Sequence, residues 1–229
     1  MNGDTERPFS TSEALRFGWA KTLANLKPLL TIGAIGAFLA LLNQALMGSG
    51  DRTGARPLLG LVVQVLQAGV TMAFIRVALK LHDGQPIDLS HPAELLAGFF
   101  TYLLTSILYF LIVAGGLLLL VVPGVIWALR YGFATFLVLD KKTDPVEALR
   151  ESGRLTRGVK GQLLAFALLM FCVNLLGAIA LGIGLLVTIP TTFIAAAYVL
   201  RKLQARAAAG AQPAPRAPPF TPQTPATNP

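Results

Sequence analysis

Charged residues and cysteine are scarce in this chain. Only 13% of its 229 residues are Asp, Glu, Lys or Arg, 54% are hydrophobic, and the mean hydropathy is +0.65. A soluble domain usually carries about 25% charged residues, so this composition excludes an ordinary soluble fold. The single cysteine, Cys172, excludes an internal disulfide and a cysteine-rich metal site, and its apolar surroundings indicate a small hydrophobic side chain.

Recognisable reaction centres are missing as well. The sequence contains no HExxH, GxSxG or phosphate-loop motif, and no pair of carboxylates lies inside an apolar stretch. His82 and His91 are nine positions apart, which fits no zinc signature. We therefore expect neither an enzyme nor a bound metal or other cofactor.

Two long apolar stretches dominate the second half of the chain. Residues 95–139 contain one charge, Arg130, and residues 161–200 contain none. A helix of ~20 residues crosses a bilayer core of ~30 Å, so each stretch is about twice as long as one crossing requires. We predict that each stretch turns back at its proline, the first at Pro123-Gly124 and the second at Pro190.

The prediction for the whole chain is an all-α membrane protein with six transmembrane helices arranged as three hairpins. A short interfacial amphipathic helix would precede each hairpin. Residues 1–27 would form a cytoplasmic amphipathic segment, residues 28–203 the transmembrane domain, and the proline-rich residues 207–229 a disordered cytoplasmic tail. The predicted spans are residues 28–47, 57–79, 98–122, 124–139, 162–189 and 191–203.

Lysine and arginine are distributed unequally around the predicted spans. If the amino end lies in the cytoplasm, that side receives 16 of the 19 cations, the outside receives Arg52 and Arg56, and Arg130 lies in a span. The positive-inside rule therefore places both chain ends in the cytoplasm. Because the net charge of +8 lies beside apolar spans, we expect membrane lipids with anionic headgroups at the cytoplasmic face as partners, and not nucleic acid.

A weak internal repeat links the start of the chain to its second half. Residues 12–16 (SEALR) match residues 146–150 (VEALR), and residues 93–96 (AELL) are a fainter copy. Thr22 matches Thr156 at the same offset. Three repeated units, each with a leading helix and a hairpin, would explain the pattern. Repeats of this kind occur in transporter folds and also in scaffolds.

Arg130 is the one charge inside a predicted span, about six residues from the predicted outer turn at Gly124. No acidic residue occurs in any predicted span, so Arg130 has no obvious ionic partner. We interpret it as a candidate contact for an anion or a lipid phosphate. The structural alternative is that its side chain reaches toward the interface, or bonds carbonyl groups freed near Pro123.

Five amide side chains also lie in the interior of predicted spans: Asn43, Gln44, Gln64, Gln67 and Asn174. Gln64 and Gln67 are spaced i, i+3 and share one helix face. Hydrogen bonds between helices explain such residues adequately, each worth about 0.6–2 kcal/mol. A polar transport path is the alternative, and it would need more polar residues and charged ones.

The central block of the sequence, residues 123–158, has a recurring pattern. A proline-glycine turn is followed by Tyr131, by an apolar span that ends at Asp140, and by a Glu-Ala-Leu helix with a Ser and a Thr-Arg-Gly end. In this pattern the chain resembles a broad, poorly characterised family of bacterial six-span integral membrane proteins, which includes the membrane domain found fused to glycerophosphodiester phosphodiesterases. The resemblance covers roughly residues 11–203. It implies a six-span architecture in the bacterial cytoplasmic (inner) membrane and no particular activity.

The sequence leaves three functions open. The first is a non-enzymatic multi-pass inner-membrane protein that assists lipid or cell-envelope processes. The second is a small transporter or channel for an anionic solute or lipid, and the third is an accessory subunit that docks a cytoplasmic partner through residues 140–160 or the tail. A cavity lined by polar residues would favour transport, whereas an apolar lateral groove would favour lipid handling.

Overall fold

The computed structural model describes residues 9–47, 55–87, 97–180 and 182–211. Arg52, His91, the fainter repeat copy at residues 93–96 and the tail beyond residue 211 lie outside these ranges. The helices of the described chain are α1 (Thr11–Ala24), α2 (Leu26–Met47), α3 (Arg56–His82), α4 (Phe99–Leu119), α5 (Val121–Tyr131), α6 (Ala134–Lys141), α7 (Pro145–Leu155), α8 (Lys160–Ile179) and α9 (Leu185–Ala211).

Six segments of the described chain are long and apolar enough to cross a bilayer. They are Leu26–Met47, Arg56–His82, Phe99–Leu119, Val121–Lys141, Lys160–Ile179 and Leu185–Ala209. The fourth of these combines α5 and α6. This finding confirms the predicted all-α fold with six helices able to span, and with it a multi-pass membrane protein. Because α9 continues to Ala211, the first residues of the predicted tail are helical.

The predicted turn at Pro190 is wrong. α8 ends at Ile179, and α9 runs from Leu185 through Pro190 without interruption. The chain reverses instead between the end of α8 and the start of α9, where Gly182 has a φ of 74°, a left-handed backbone conformation that suits glycine. Pro190 removes one backbone hydrogen bond from α9. The helix nevertheless continues because half of the residues in its membrane-spanning stretch are buried inside the bundle.

The predicted turn at Pro123-Gly124 is displaced by three residues. The helix breaks at Leu120, whose backbone is extended (φ −169°, ψ 151°), and α5 begins at Val121. Pro123 is then the third residue of α5, where a missing N–H removes no helical hydrogen bond. Gly124 serves close packing, because a Cβ there would lie 2.6 Å from the side chain of Leu117 in α4.

The buried core lies mainly on α3, α6 and α9. Phe193 of α9 stacks on Phe74 of α3, with 5.6 Å between ring centroids, and lies 6.3 Å from Phe136 of α6. Fully buried residues on these helices include Met72, Ile75, Val77, Leu137, Ile194, Val199, Leu200 and Leu203. By contrast, α2, α4 and α8 expose large apolar side chains, among them Phe38, Phe110 and Phe171. The outer positions in the bundle therefore belong to α2, α4 and α8.

α1 packs along α9 in the antiparallel sense, through small residues. A Cβ on the buried Gly18 would lie 2.7 Å from the carbonyl oxygen of Thr191, so only glycine permits this approach. The hydroxyl of Thr191 donates to that of Thr22 at 3.0 Å. The ring of Phe17 lies 5.1 Å from that of Tyr198. α1 therefore follows α9 from residue 198 to residue 191, which is ~10 Å along the helix axis.

The buried residues of α7 correspond to those of α1 at an offset of 134 residues. The corresponding buried pairs are Ala14 and Ala148, Gly18 and Ser152, and Thr22 and Thr156. Ser152 and Thr156 both donate to the carbonyl oxygen of Arg130, at 2.8 and 3.2 Å. α7 therefore packs against a backbone carbonyl of α5, as α1 packs against the carbonyl of Thr191 in α9.

Candidate functional site

Arg130 lies near the end of α5, ten residues or ~15 Å from the break at Leu120. Its guanidinium carbon lies 5.3 Å from the centroid of the Tyr131 ring. Its Nε faces Gly153 of α7, where a Cβ would be only 3.2 Å away. The side chain is half-buried and forms no ion pair within the described part of the chain. The structure therefore places Arg130 beside the polar helix α7 and away from Pro123.

The amide of Asn174 connects α8 to α9. Its nitrogen donates to the hydroxyl of Thr192 at 2.8 Å and to the carbonyl of Met170 at 2.9 Å. Thr192 in turn donates to the carbonyl of Thr188. This contact holds two helices together, which is the structural role that hydrogen bonds between helices can fill.

The other four amides differ in their exposure. Gln44 and Gln64 are exposed, whereas Asn43 and Gln67 are half-buried. The side-chain oxygen of Gln67 is inaccessible to solvent and accepts no hydrogen bond from the described residues. Of the five amides, Gln67 is the one in the lining of the groove described next.

A lateral groove lies between α2, α3 and the first half of α9, and we call it the Gln67 groove. Its volume is ≈ 490 Å³, within the range of about 300–1,000 Å³ typical of small-molecule sites. Gln67 and Thr71 are its only polar side chains among the described residues. Apolar lining residues include Gly36, Ala37, Val70, Phe74, Ile189 and Phe193. Leu41 and Ile183 at the rim are 70% and 68% exposed, so the groove opens on the flank of the bundle.

A second lateral groove lies between α1, α8 and the start of α9, and we call it the Arg16 groove. Its volume is ≈ 880 Å³. Apolar lining residues include Leu15, Trp19, Leu23, Val173, Leu176 and Val187. Arg16 and Thr188 are the polar side chains that line it. α9 separates this groove from the Gln67 groove.

A cluster of charged residues joins the carboxyl ends of α3 and α6 to Arg201 in the second half of α9, and we call this the charged end of the bundle. Arg201 of α9 donates to both carboxylate oxygens of Asp140, at 2.7 and 2.8 Å. It also donates to both oxygens of Asp83, at 2.6 and 3.1 Å. Gln204 completes the cluster by donating to Asp140 at 3.1 Å. One arginine of α9 therefore connects the ends of α3 and α6.

The carboxyl group of Asp83 is held ionised by this cluster. Partial burial raises its pKa, but the hydrogen bonds and charges of Arg201 and His82 lower it by more, so the pKa lies below its ordinary value. The Nδ1 atom of His82 is 3.2 Å from the Asp83 carboxylate. Asp83 therefore carries its negative charge throughout the neutral pH range.

The structure does not bring the predicted residues into one site. Arg130 lies between α5 and α7, Gln67 in its groove, and Asn174 between α8 and α9. The sequence analysis missed both grooves, and it used Arg201 only as an orientation charge. A signal for the cluster was present, since Asp83, Asp140 and Arg201 each follow closely on a long apolar segment.

The described residues contain no group of three or more His, Cys, Asp or Glu side chains that could hold a metal ion. Comparison of the chain with protein-family models, with curated proteins and with solved structures gave no match. Any proposal about function therefore depends on the residues of this chain and on their geometry.

Proposed function

We propose that the protein is a non-enzymatic multi-pass membrane protein that binds lipids in its lateral grooves and so assists lipid or cell-envelope processes. The observation that carries this proposal is the Gln67 groove, an apolar space of ≈ 490 Å³ on the flank of helices able to span a membrane. In a bilayer the molecules at such a flank are lipids. An acyl chain in the groove gains packing contacts along its walls, which is the main attraction available where no water is present.

Gln67 adds a polar group to the groove. A buried polar atom without a partner costs about 1–3 kcal/mol. The side-chain oxygen of Gln67 lacks a donor among the described residues. A hydroxyl or ammonium group of a lipid would supply that donor, so Gln67 is the residue through which this groove would favour lipids with such groups.

The proposed location is the bacterial cytoplasmic membrane, with both chain ends in the cytoplasm. The distribution of lysine and arginine supports this orientation. In it, the charged end with Asp83, Asp140 and Arg201 faces the cytoplasm. α7 is then an interfacial helix packed on α5, whereas α1 packs along the membrane-spanning helix α9 and does not lie flat in the interface. The resemblance in residues 123–158 agrees with this location.

We infer that the chain consists of three repeated units, α1–α3, α4–α6 and α7–α9. The buried pairs at an offset of 134 residues support this division. The first unit contacts the third through the packing of α1 on α9. The third unit contacts the second through hydrogen bonds from α7 to α5. Three hairpins, of which the first and the third follow a leading helix in the described residues, account for these contacts.

Arg130 is a further proposed contact for a lipid phosphate. Its guanidinium is half-buried beside α7 and has no acidic partner among the described residues. Transport of a hydrophilic anion is the weaker alternative, since the Gln67 groove has two polar side chains and no charged one in its lining. A water-filled path for an anion would need a polar lining.

The proposal is tested by filling the groove. Ala37 and Ala34 lie on the same helix and are both exposed, but only Ala37 lines the Gln67 groove. Native mass spectrometry of the purified full-length protein would count retained lipids. We expect Ala37→Trp to lose the lipid of this groove and so to retain fewer lipids per protein than Ala34→Trp, which should match the wild type. Equal retention by the two variants, or a wild type that retains no lipid, would refute the proposal.

A further inference from the structure

We propose that the Arg16 groove holds an anionic phospholipid, with Arg16 at its phosphate and an acyl chain between α1, α8 and α9. This inference rests on the proposed function. It adds that the headgroup is negatively charged, that the lipid enters from the cytoplasmic leaflet, and that Arg16 selects it.

The shape of the groove suits a lipid chain. One end lies beside Arg16, whose neighbour Phe17 contacts Tyr198 of α9, and the other end lies beside Gly184. Tyr198 of α9 and Gly184, the residue before α9, are fourteen residues apart, or ~20 Å at the rise of a helix. That length exceeds half of the ~30 Å hydrocarbon core, which is the depth of one leaflet. The lining between the two ends is apolar apart from Thr188.

Arg16 is placed where a headgroup would lie. Phe17 contacts His82 at 5.4 Å, so this part of α1 lies at the charged end of the bundle. Arg16 is exposed and forms no ion pair with any described residue. Trp19, one turn further along α1, lines the groove and is 43% exposed, and tryptophan favours the headgroup level of a membrane.

The charges around the groove favour an anionic headgroup. Arg16 is the one charged side chain among the described residues that line the groove, and a second cation on α1, Lys21, lies 5.7 Å from the Phe17 ring outside the lining. Glu13 is the one acidic residue of α1, one turn before Arg16. A guanidinium can form two parallel hydrogen bonds to a phosphate, and this geometry is stronger than a contact between neutral groups. A lipid with a net negative charge therefore complements this end of the groove better than a zwitterionic one.

The groove fits an acyl chain better than a helix of a second copy. Two of the three helices that line it, α8 and α9, are able to span a membrane, and Leu23 and Leu176 on its two sides are 49% and 67% exposed. An exposed apolar space in a membrane fills with lipid without any ordering of a protein partner. Against an apolar helix of a second copy, the guanidinium of Arg16 would remain unpaired. A phospholipid supplies both a phosphate for Arg16 and an acyl chain for the apolar lining.

The experiment compares two lipids that differ only in headgroup charge. Full-length protein stripped of lipid would be titrated with phosphatidylglycerol and with phosphatidylcholine of the same acyl chains, and bound lipid measured by native mass spectrometry. We expect the wild type to prefer phosphatidylglycerol by about tenfold. Arg16→Gln should lose this preference while still binding phosphatidylcholine, and Arg16→Lys should keep part of it. Arg150→Gln, at the matching position of the repeat on α7, is the control and should behave as the wild type.

A second pair of variants tests the groove itself. Ala20 lines the groove and Ala24 does not, although both are exposed residues of α1. Ala20→Trp should weaken the binding of both lipids, and Ala24→Trp should not. An unchanged preference in Arg16→Gln, or an equal loss in Arg150→Gln, would overturn the role of Arg16 and leave the proposed function intact. A wild type that binds neither lipid would overturn the proposed function as well.

Discussion

Arg201 and Asp140 form a pair with two parallel hydrogen bonds, from Nη1 to Oδ2 at 2.7 Å and from Nη2 to Oδ1 at 2.8 Å. The two side chains are 23% and 15% exposed, so solvent screens them only in part. Asp83 binds the same guanidinium from α3. The ends of α3 and α6 are therefore held to α9 by one cation between two carboxylates, in the geometry that makes arginine–carboxylate pairs strong.

Removing this cation should loosen the charged end of the bundle. Arg201→Gln leaves Asp83 and Asp140 close together without a counter-charge, and we expect a loss of about 1–3 kcal/mol in the free energy of unfolding. The measurement is the Tm of the detergent-solubilised protein. Arg206→Gln is the matched control, because Arg206 is exposed on the same helix. Equal Tm values for the two variants would show that the cluster does not stabilise the fold.

Acidification should weaken the same cluster. Because the pKa of Asp83 is lower in the folded protein than its ordinary value of 3.8, the unfolded chain binds the proton first. The stabilisation is therefore complete above the unfolded pKa and is lost as the pH falls through the folded pKa. Between about pH 6 and pH 3 the Tm of the wild type should fall more than that of Asp83→Asn. Parallel pH profiles would exclude a contribution from Asp83.

Gly18 should tolerate no side chain. A Cβ at this position would meet the backbone oxygen of Thr191 at 2.7 Å, and a backbone atom cannot rotate away. Gly18→Ala should therefore reduce stability by about 1–3 kcal/mol, as overpacking does. Gly161→Ala on α8 is the control, since a Cβ there meets nothing within 4 Å, and it should be neutral or slightly stabilising. A neutral Gly18→Ala would contradict the packing of α1 on α9.

The side chain of Arg130 should matter for lipid and not for folding. Arg130→Ala removes the contact with the Tyr131 ring, worth about 0.5–1 kcal/mol, but keeps the carbonyl that Ser152 and Thr156 bind. We expect normal abundance and fewer retained phospholipids. Ser152→Ala should show the reverse, a loss of stability of about 0.5–1.5 kcal/mol with lipid retention unchanged. If Arg130→Ala lowers the abundance of the protein without changing lipid retention, the role of Arg130 is structural.

The six apolar segments could be predicted from the sequence because the length and hydropathy of a spanning helix are local properties. The turns between these segments were harder to predict. Pro190 was expected to end a helix, yet the chain turns at the glycines before it, and the packing of α9 determines that Pro190 stays inside. The turn near Pro123 was displaced because proline is also accommodated in the first turn of a helix.

The grooves could not be predicted, because each depends on which helices become neighbours. Ala37 and Ala34 look alike in the sequence, and only the packing of α2 against α3 and α9 distinguishes them. Gln67 was expected to bond another helix, whereas its oxygen has no partner among the described residues. The repeat at an offset of 134 residues was visible at Thr22 and Thr156, but the contacts those residues make needed the structure.

The most direct measurement of lipid binding is photo-crosslinking with a phospholipid that carries a diazirine on its acyl chain. The protein would be washed free of surrounding lipid in detergent, irradiated and digested, and the labelled residues identified by mass spectrometry. We predict that labels concentrate on groove residues such as Ala37, Ile189 and Leu23, and that outer residues such as Phe110, which is more exposed than Ile189 and Leu23, stay unlabelled. Labelling that simply follows exposure, with no excess in either groove, would contradict it.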